Sequence, residues 1–174
     1  MTTLTPTSRQ EADTVTIGHK VSPFLWFDSN AEEAILFYTS IFKPSKIGNM
    51  FRHGEGGPGP KDTLMSGTFE IAGQEFMALN GGPMFKFTPA VSFFVTCTSQ
   101  AEIDELWVKL SAGGATNRCG WLQDKFGLSW QIIPDVLGRL LYSKDPVRSK
   151  QALAAMLRMT KLDIAELQRA YDEG

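Results

Sequence analysis

Residues 24–32 read FLWFDSNAE, and residues 94–102 read FVTCTSQAE. In both stretches, an apolar run typical of a strand leads to a serine that lies three positions ahead of a glutamate. This spacing is typical of a capping box, in which the serine oxygen accepts from a helix amide and the glutamate caps the serine amide. The same order and spacing recur seventy positions apart, so the sequence predicts that the chain is internally duplicated.

Both copies continue in the same way. Apolar residues follow at helical spacing, from Ala31 to Ile41 in the first copy and from Ala101 to Leu110 in the second. Short strands are then predicted at 46–51, 64–71 and 75–79 in the first copy, and at 119–122 and 128–133 in the second. The sequence therefore predicts an α+β fold made of two tandem βαβββ half-units.

The chain divides into three predicted segments. Residues 1–20 are rich in Thr, Ser and charge without apolar periodicity, which predicts a flexible tail. Residues 21–135 are predicted to form one domain, made of half-units 21–83 and 88–135. Residues 136–174 are predicted to be a helical extension packed on that domain. Two capping patterns indicate helix starts within the extension, Asp145-Pro146 and Thr160-Lys161-Leu162-Asp163.

Composition excludes several classes of protein. The 174 residues include 17 basic and 19 acidic side chains, a formal net charge of −2, without a basic block to follow a phosphate backbone. We therefore expect no nucleic-acid partner. No apolar run approaches the roughly 20 residues that span a bilayer, and no signal-peptide pattern is present, so we expect a cytoplasmic protein without membrane contact. Cys97 and Cys119 form no CxxC pair and are expected to be free thiols.

Three separated motifs carry a family resemblance. They are Phe27-x-x-Asn30-Ala31-Glu32-Glu33-Ala34-x-x-Phe37-Tyr38, Cys119-Gly120-Trp121-Leu122-x-Asp124-x-Phe126-Gly127-x-Ser129-Trp130-Gln131, and Met156-x-x-Met159-x-Lys161. With the duplicated βαβββ plan, they resemble the vicinal oxygen chelate superfamily, which includes glyoxalase, bleomycin resistance proteins and extradiol dioxygenases. The closer resemblance is to its PhnB-like branch, often described as 3-demethylubiquinone-9 3-methyltransferase. The resemblance runs from about Val21 to the C-terminus. It implies that the two half-units form a curved mixed sheet around a cleft, and that the protein is a homodimer.

The resemblance also implies where a metal would bind. Metal-dependent members take ligands, typically histidine and glutamate, from the first and last strands of each half-unit. The corresponding positions here hold Pro23 and Met77 in the first half, and Phe93 (or Ser92, one residue earlier) and Gln131 in the second. These side chains lack the imidazoles and charge that hold zinc, iron or manganese, so we predict neither metal nor cofactor. His19 and His53 are expected to be solvated, and metal binding by His53 is the weaker alternative.

Without those ligands, the cleft is predicted to bind a small apolar or amphipathic molecule among aromatic side chains. The residues predicted to line it are Phe27, Met77, Cys97, Cys119, Trp121, Trp130 and Gln131. Gln131 would orient the ligand, with Ser92 or Thr96. About half of the strand aromatics are expected in the core, and inert packing is the alternative for both cysteines.

Two further functions stay open. The chain could be an uncharacterised enzyme of the PhnB-like family that uses Cys97 or Cys119 as a nucleophile, or Gln131 with a bound water. The family description suggests methyl transfer, but no glycine-rich loop joins a strand to a helix in the manner of a nucleoside-binding unit. Alternatively, the C-terminal helices could form a protein-interaction module.

Overall fold

The computed structural model of the protein describes residues 20–174. The predicted tail therefore lies outside the described residues, apart from Lys20, and so does His19. The first half-unit comprises β1 (Phe24–Phe27), α1 (Ala31–Ile41), β2 (Ser45–Arg52), β3 (Leu64–Ile71) and β4 (Gln74–Asn80). Its strands form a four-stranded sheet in the order β1-β4-β3-β2, with β1 parallel to β4 and the other pairs antiparallel.

The second half-unit repeats this plan. It comprises β5 (Ser92–Cys97), α2 (Gln100–Ser111), β6 (Ala115–Thr116), β7 (Trp121–Gln123) and β8 (Ser129–Pro134), with strand order β5-β8-β7-β6. Phe24 lies opposite Met77 in the first sheet, as Phe94 lies opposite Gln131 in the second. The α+β class and the tandem βαβββ prediction are confirmed. The predicted mixed sheet is present as two four-stranded sheets, and the two-residue β6 was not predicted.

The two predicted capping boxes behave differently. Ser99 accepts a hydrogen bond from the Glu102 amide at 3.2 Å, and the Glu102 carboxylate reaches back to the amide before the serine. The first box does not form, because the Asn80 side chain on β4 accepts from the Ala31 amide at 2.8 Å. Glu32 forms an ion pair with an arginine of β2 instead. The N-terminus of α1 is thus capped by a side chain of the sheet on which the helix packs.

One hydrophobic core joins the two half-units. Helix α1 packs against β2, β3 and β4, and α2 packs against β5, β7 and β8. The rings of Phe76 and Phe93, one from each half, lie 5.0 Å apart, and those of Tyr38 and Trp130 lie 5.5 Å apart. Because side chains alternate along a strand, the opposite faces remain open. Phe24, in the sheet of the first half-unit (sheet 1), is 52% exposed, and Phe94, in the sheet of the second half-unit (sheet 2), is 60% exposed.

The C-terminal extension forms three helices around a second hydrophobic cluster: α3 (Val136–Leu141), α4 (Pro146–Arg158) and α5 (Ile164–Asp172). Asp145 caps α4 as predicted, whereas α5 is capped by Asp163, so the predicted start at Thr160 is three residues early. Within residues 20–174, no helix is both long enough and apolar enough to span a bilayer.

Main-chain hydrogen bonds attach the extension to the domain. The amides of Cys119 and Gly120 donate to the carbonyls of Met159 and Thr160, both at 2.8 Å. Gln100, at the start of α2, donates to one carbonyl of the segment between α4 and α5 and accepts from the first amide of α5. The extension therefore packs on the second half-unit.

Candidate functional site

The positions that correspond to metal ligands in the superfamily meet on the open face of sheet 2. Gln131 on β8 donates from its side-chain amide to Ser92 Oγ on β5, at 2.9 Å. The structure therefore selects Ser92 over Phe93, which points to the core side and packs against Trp130. In sheet 1, the corresponding serine is Ser22, seventy residues before Ser92, and it donates to Glu75 at 3.2 Å. The serine is therefore present in both half-units, but its hydrogen-bond partner differs.

This donor set does not fit a chelated divalent metal. Serine and glutamine offer neutral oxygens, and Met77 offers only a thioether, whereas zinc, iron and manganese sites are built from imidazole, thiolate and carboxylate. Across residues 20–174, no three side chains of His, Cys, Asp or Glu converge as a ligand set. His53 lies in the glycine-rich loop against Gly59, apart from these strands. We therefore derive no step through a metal.

Aromatic side chains line a groove of about 340 Å³ on the core side of the β5 edge, where the two half-units meet. Phe42 stacks on Trp130 with ring centroids 5.3 Å apart, and Phe93 packs between Trp130 and Phe76. Gln74 at the start of β4 stands at the rim and is exposed. This aromatic groove can hold a flat or apolar group among largely fixed rings.

A second groove, of about 320 Å³, lies on the open face of sheet 2 between β5 and α3. Its lining comprises Phe94, Thr96, Ile133, Pro134, Asp135, Leu137, Gly138, Leu141 and Tyr142. Phe94 and Thr96 also border the aromatic groove, so the edge strand β5 separates the two. We call this second one the α3 groove.

The structure divides the seven residues that were predicted to line the cleft. Phe27 and Cys97 are buried against the helices, because strand alternation turns them to the core faces. Trp130 is also buried but forms the floor of the aromatic groove. Cys119 lies in the loop that docks on the extension. The remaining three lie on the open faces: Met77, Trp121 and Gln131.

The sequence did not identify several residues that line the grooves. Phe42 and Phe76 come from the first half-unit and reach the aromatic groove only because the halves pack together. Leu141 and Tyr142 belong to the extension. Phe94 alone carried a signal, since it shares a strand face with Ser92 and lies opposite Gln131.

Asp124, in the most recognisable motif, is a structural residue between the two halves. Its carboxylate accepts from the Tyr38 hydroxyl at 2.7 Å and from the Trp130 indole at 2.8 Å. It also accepts from the amides of Phe126 and Leu128. Burial raises the pKa of Asp124 above its ordinary value, against the opposing effect of these donors. Burial, together with this carboxylate, raises the pKa of Tyr38, which is therefore a neutral donor.

The two thiols have different environments. Cys97 is fully buried, and burial, with the nearby Glu102 and Asp135 carboxylates, raises its pKa to about 12. It is therefore protonated at neutral pH and is a poor nucleophile. Cys119 is half-buried, and its Sγ lies 3.7 Å from the Met156 carbonyl oxygen.

We expect iodoacetamide to alkylate Cys119 and spare Cys97 in the native protein at neutral pH, because Cys97 is buried and its thiol holds its proton. Peptide mass spectrometry over a time course measures both sites. Unfolding in urea is the control and should equalise the two rates. Native alkylation of Cys97 at the unfolded rate would contradict the expectation.

Residues 19–133 match the family described as 3-demethylubiquinone-9 3-methyltransferase. The chain belongs to this family. It is 41% identical to a PhnB protein from Bacillus cereus, over 67% of this chain and 99% of that chain, with a TM-score of 0.63. This family member thus has the predicted PhnB-like, vicinal oxygen chelate fold. The family match ends at Ile133, so α3, α4 and α5 lie beyond it.

More distant structures share the fold alone. Protein PA1353 from Pseudomonas aeruginosa is 23% identical, over 66% of this chain and 98% of that chain, with a TM-score of 0.55. The fosfomycin resistance protein FosX from Listeria monocytogenes is 17% identical, over 71% of this chain and 96% of that chain, with a TM-score of 0.50. No curated protein matches the sequence.

Proposed function

We propose that this member of the 3-demethylubiquinone-9 3-methyltransferase family binds a small apolar or amphipathic molecule beside β5, without a chelated metal. The observation that carries the proposal is the arrangement of an aromatic groove and a hydrogen-bonded Ser92–Gln131 pair around one edge strand. Ligand sites in proteins combine a mostly apolar lining with a few polar groups that orient the ligand. Beside β5, the aromatic groove supplies an apolar lining on the core side, and the polar pair lies on the open face that continues into the α3 groove.

The polar pair is suited to orienting a ligand rather than to activating it. One N–H of the Gln131 side-chain amide donates to Ser92. The side-chain carbonyl oxygen and the second N–H remain available to a ligand. The Ser92 hydroxyl can donate its proton outward. Such neutral hydrogen bonds contribute about 0.5–1.5 kcal/mol each, so most of the binding energy would come from apolar burial.

A second copy of the chain is the proposed protein partner. β1 and β5 are edge strands with one paired neighbour each, and both carry an exposed phenylalanine on the open face. Unpaired edges with apolar side chains are often covered by another chain. Light scattering of the full chain should give a homodimer, and a monomer at micromolar concentration would contradict this. The cytoplasm is the proposed compartment.

An enzyme of unassigned reaction is the second candidate. Burial of Cys97 weighs against it as a nucleophile, and no base lies within hydrogen-bond reach of Cys119 among the described residues. Gln131 with a bound water is the form of this hypothesis that the geometry favours, since its amide faces the open side of sheet 2. Turnover of a bound ligand that depends on Gln131, with Gln131→Leu inactive, would support the enzyme.

The proposal is tested with the neutral fluorescent probe N-phenyl-1-naphthylamine. The wild-type chain should bind it saturably, at about one probe per chain. Gln74→Trp should weaken binding at least about tenfold, or ~1.4 kcal/mol, because the new ring fills the aromatic groove from its rim. Gln151→Trp is the matched control, since Gln151 is an exposed glutamine on α4 outside both grooves.

Metal content separates this proposal from a metalloenzyme. Elemental analysis of the purified protein is paired with thermal stability in added zinc, iron, nickel or manganese. Stoichiometric metal with a clear rise in Tm would contradict the donor-set argument and favour a lyase or dioxygenase. Probe binding that neither Gln74→Trp nor metal affects would exclude the aromatic groove as the probe site.

A further inference from the structure

Helix α3 carries a glycine that the packing of the chain does not require. Gly138 lies inside the helix, and a Cβ added there would meet no atom within 4 Å. A glycine in a helix interior is less favourable than alanine, because it orders a more flexible backbone. Glycine at 138 therefore makes the helix less stable than alanine would, although no neighbouring atom of the described residues would clash with an alanine side chain there.

The space at Gly138 belongs to the α3 groove. Gly138 lines this groove together with Leu137, Leu141 and Phe94 of β5. Phe94 is 60% exposed and Tyr142 is 87% exposed, so the apolar surface of the groove is open to a ligand. Any larger side chain at 138 would narrow the groove.

The α3 groove lies next to the Ser92–Gln131 pair on the same face of sheet 2. On the open face of sheet 2, Phe94 lies opposite Gln131, and Thr96 lies opposite Ile133 at the foot of α3. Ser92 and Thr96 are four positions apart on an extended strand, a distance of ~13 Å. A molecule with a polar group at Ser92 and Gln131 could therefore run along the strand face and place an apolar chain beneath α3.

Charge at the groove favours some amphiphiles over others. Asp135 is the one charged residue in the lining, it is exposed, and it forms no ion pair with any residue that the structure describes. Arg139, one helical turn later, donates to Gln168 of α5. The groove therefore presents negative charge, which disfavours an anionic ligand.

We propose that α3 forms a subsite for the apolar chain of a neutral or cationic amphiphile, whose polar end is held by Ser92 and Gln131. This inference rests on the proposed function and narrows it to one ligand class. The extension, which lies beyond the family match, thereby determines specificity.

Direct binding of hexylamine, decylamine, decan-1-ol and decanoate, measured by isothermal titration calorimetry, tests the subsite. For the wild-type chain, each buried methylene should improve affinity up to about fourfold, so decylamine should bind far more tightly than hexylamine. Gly138→Leu should remove most of this chain-length gain, while hexylamine affinity stays nearly unchanged. Gln151→Leu, which adds a leucine to an exposed helical position outside the groove, should keep the gain.

Two further variants distinguish an effect on ligand binding from an effect on the stability of the fold. Gly138→Ala should raise Tm by roughly 2–4 °C, because nothing obstructs its Cβ, and should weaken decylamine more than hexylamine. Asp135→Asn should reduce the preference for decylamine over decanoate, up to about fivefold. A protein that is more stable and yet binds long chains less well would support a site kept open for a ligand.

The outcomes distinguish the two proposals. If the wild-type chain binds no probe and no amphiphile, the proposed function fails and the subsite fails with it. If amphiphiles bind but the chain-length gain survives Gly138→Leu, the subsite is overturned and the proposed function stands. If Gly138→Leu instead converts a dimer to a monomer in light scattering, the groove is an interface between two copies and the subsite is likewise overturned.

Discussion

Replacing Asp124 with alanine is expected to lower the free energy of unfolding by about 3–5 kcal/mol. The substitution leaves the Tyr38 hydroxyl, the Trp130 indole and two backbone amides without their acceptor, in the buried seam between the two half-units. Urea denaturation followed by tryptophan fluorescence measures the loss.

Two variants show whether this loss has the proposed cause. Tyr38→Phe removes one donor and should cost about 1.5–3 kcal/mol, and its effect should be smaller in the Asp124→Ala background, because the pair is coupled. Asp28→Ala is the control, since Asp28 is exposed and lies 4.0 Å from its nearest lysine. It should change stability by less than about 0.5 kcal/mol. Equal effects at positions 28 and 124 would refute the structural role.

Deleting residues 145–174 is expected to leave a chain that no longer folds cooperatively. The deletion removes α4 and α5, which cover Ile133, Leu137 and Leu140. Each of these side chains contributes about 1.5–3 kcal/mol when buried, so the total approaches the 5–15 kcal/mol that stabilises a typical domain. Circular dichroism and size-exclusion chromatography should show an unfolded or aggregated product.

A point variant gives the same test without a deletion. Leu162→Ala should cost about 2–5 kcal/mol, because Leu162 is fully buried in the hydrophobic cluster of the extension. Leu157→Ala, on the half-exposed side of α4, is the matched control and should cost less than about 1 kcal/mol. A truncated chain that stays soluble, folded and cooperative would favour the interaction-module hypothesis for these helices.

Local patterns predicted the architecture because each half-unit is encoded by short-range signals. The apolar run at 94–97 and the serine at 99 define a strand and a capped helix without reference to the rest of the chain. The same reasoning failed at the start of α1, where Asn80 lies 49 residues from the amide that it caps. A partner so distant in sequence leaves no local pattern.

The site was harder to predict for the same reason. Strand alternation separates Phe93 from Phe94, but it cannot say which face of a strand a helix will cover, and Phe27 and Cys97 lie on the covered faces. The aromatic groove takes Phe42 and Phe76 from one half and Trp130 from the other. Only the packing of the two halves brings them together.

The attachment of the extension through main-chain atoms has a consequence for how such proteins diverge. The bonds from Cys119 and Gly120 to Met159 and Thr160 join amide to carbonyl, so substitutions at three of these positions leave the bonds available. Gly120 is the most constrained position, because it has a φ of +79° and an added Cβ would lie 2.6 Å from the Ile132 carbonyl oxygen. Cys119 also has a positive φ, of +59°, but it already carries a side chain. In homologues whose side chains have drifted apart, this single glycine would be the residue to look for when asking whether the helical extension still docks in the same way.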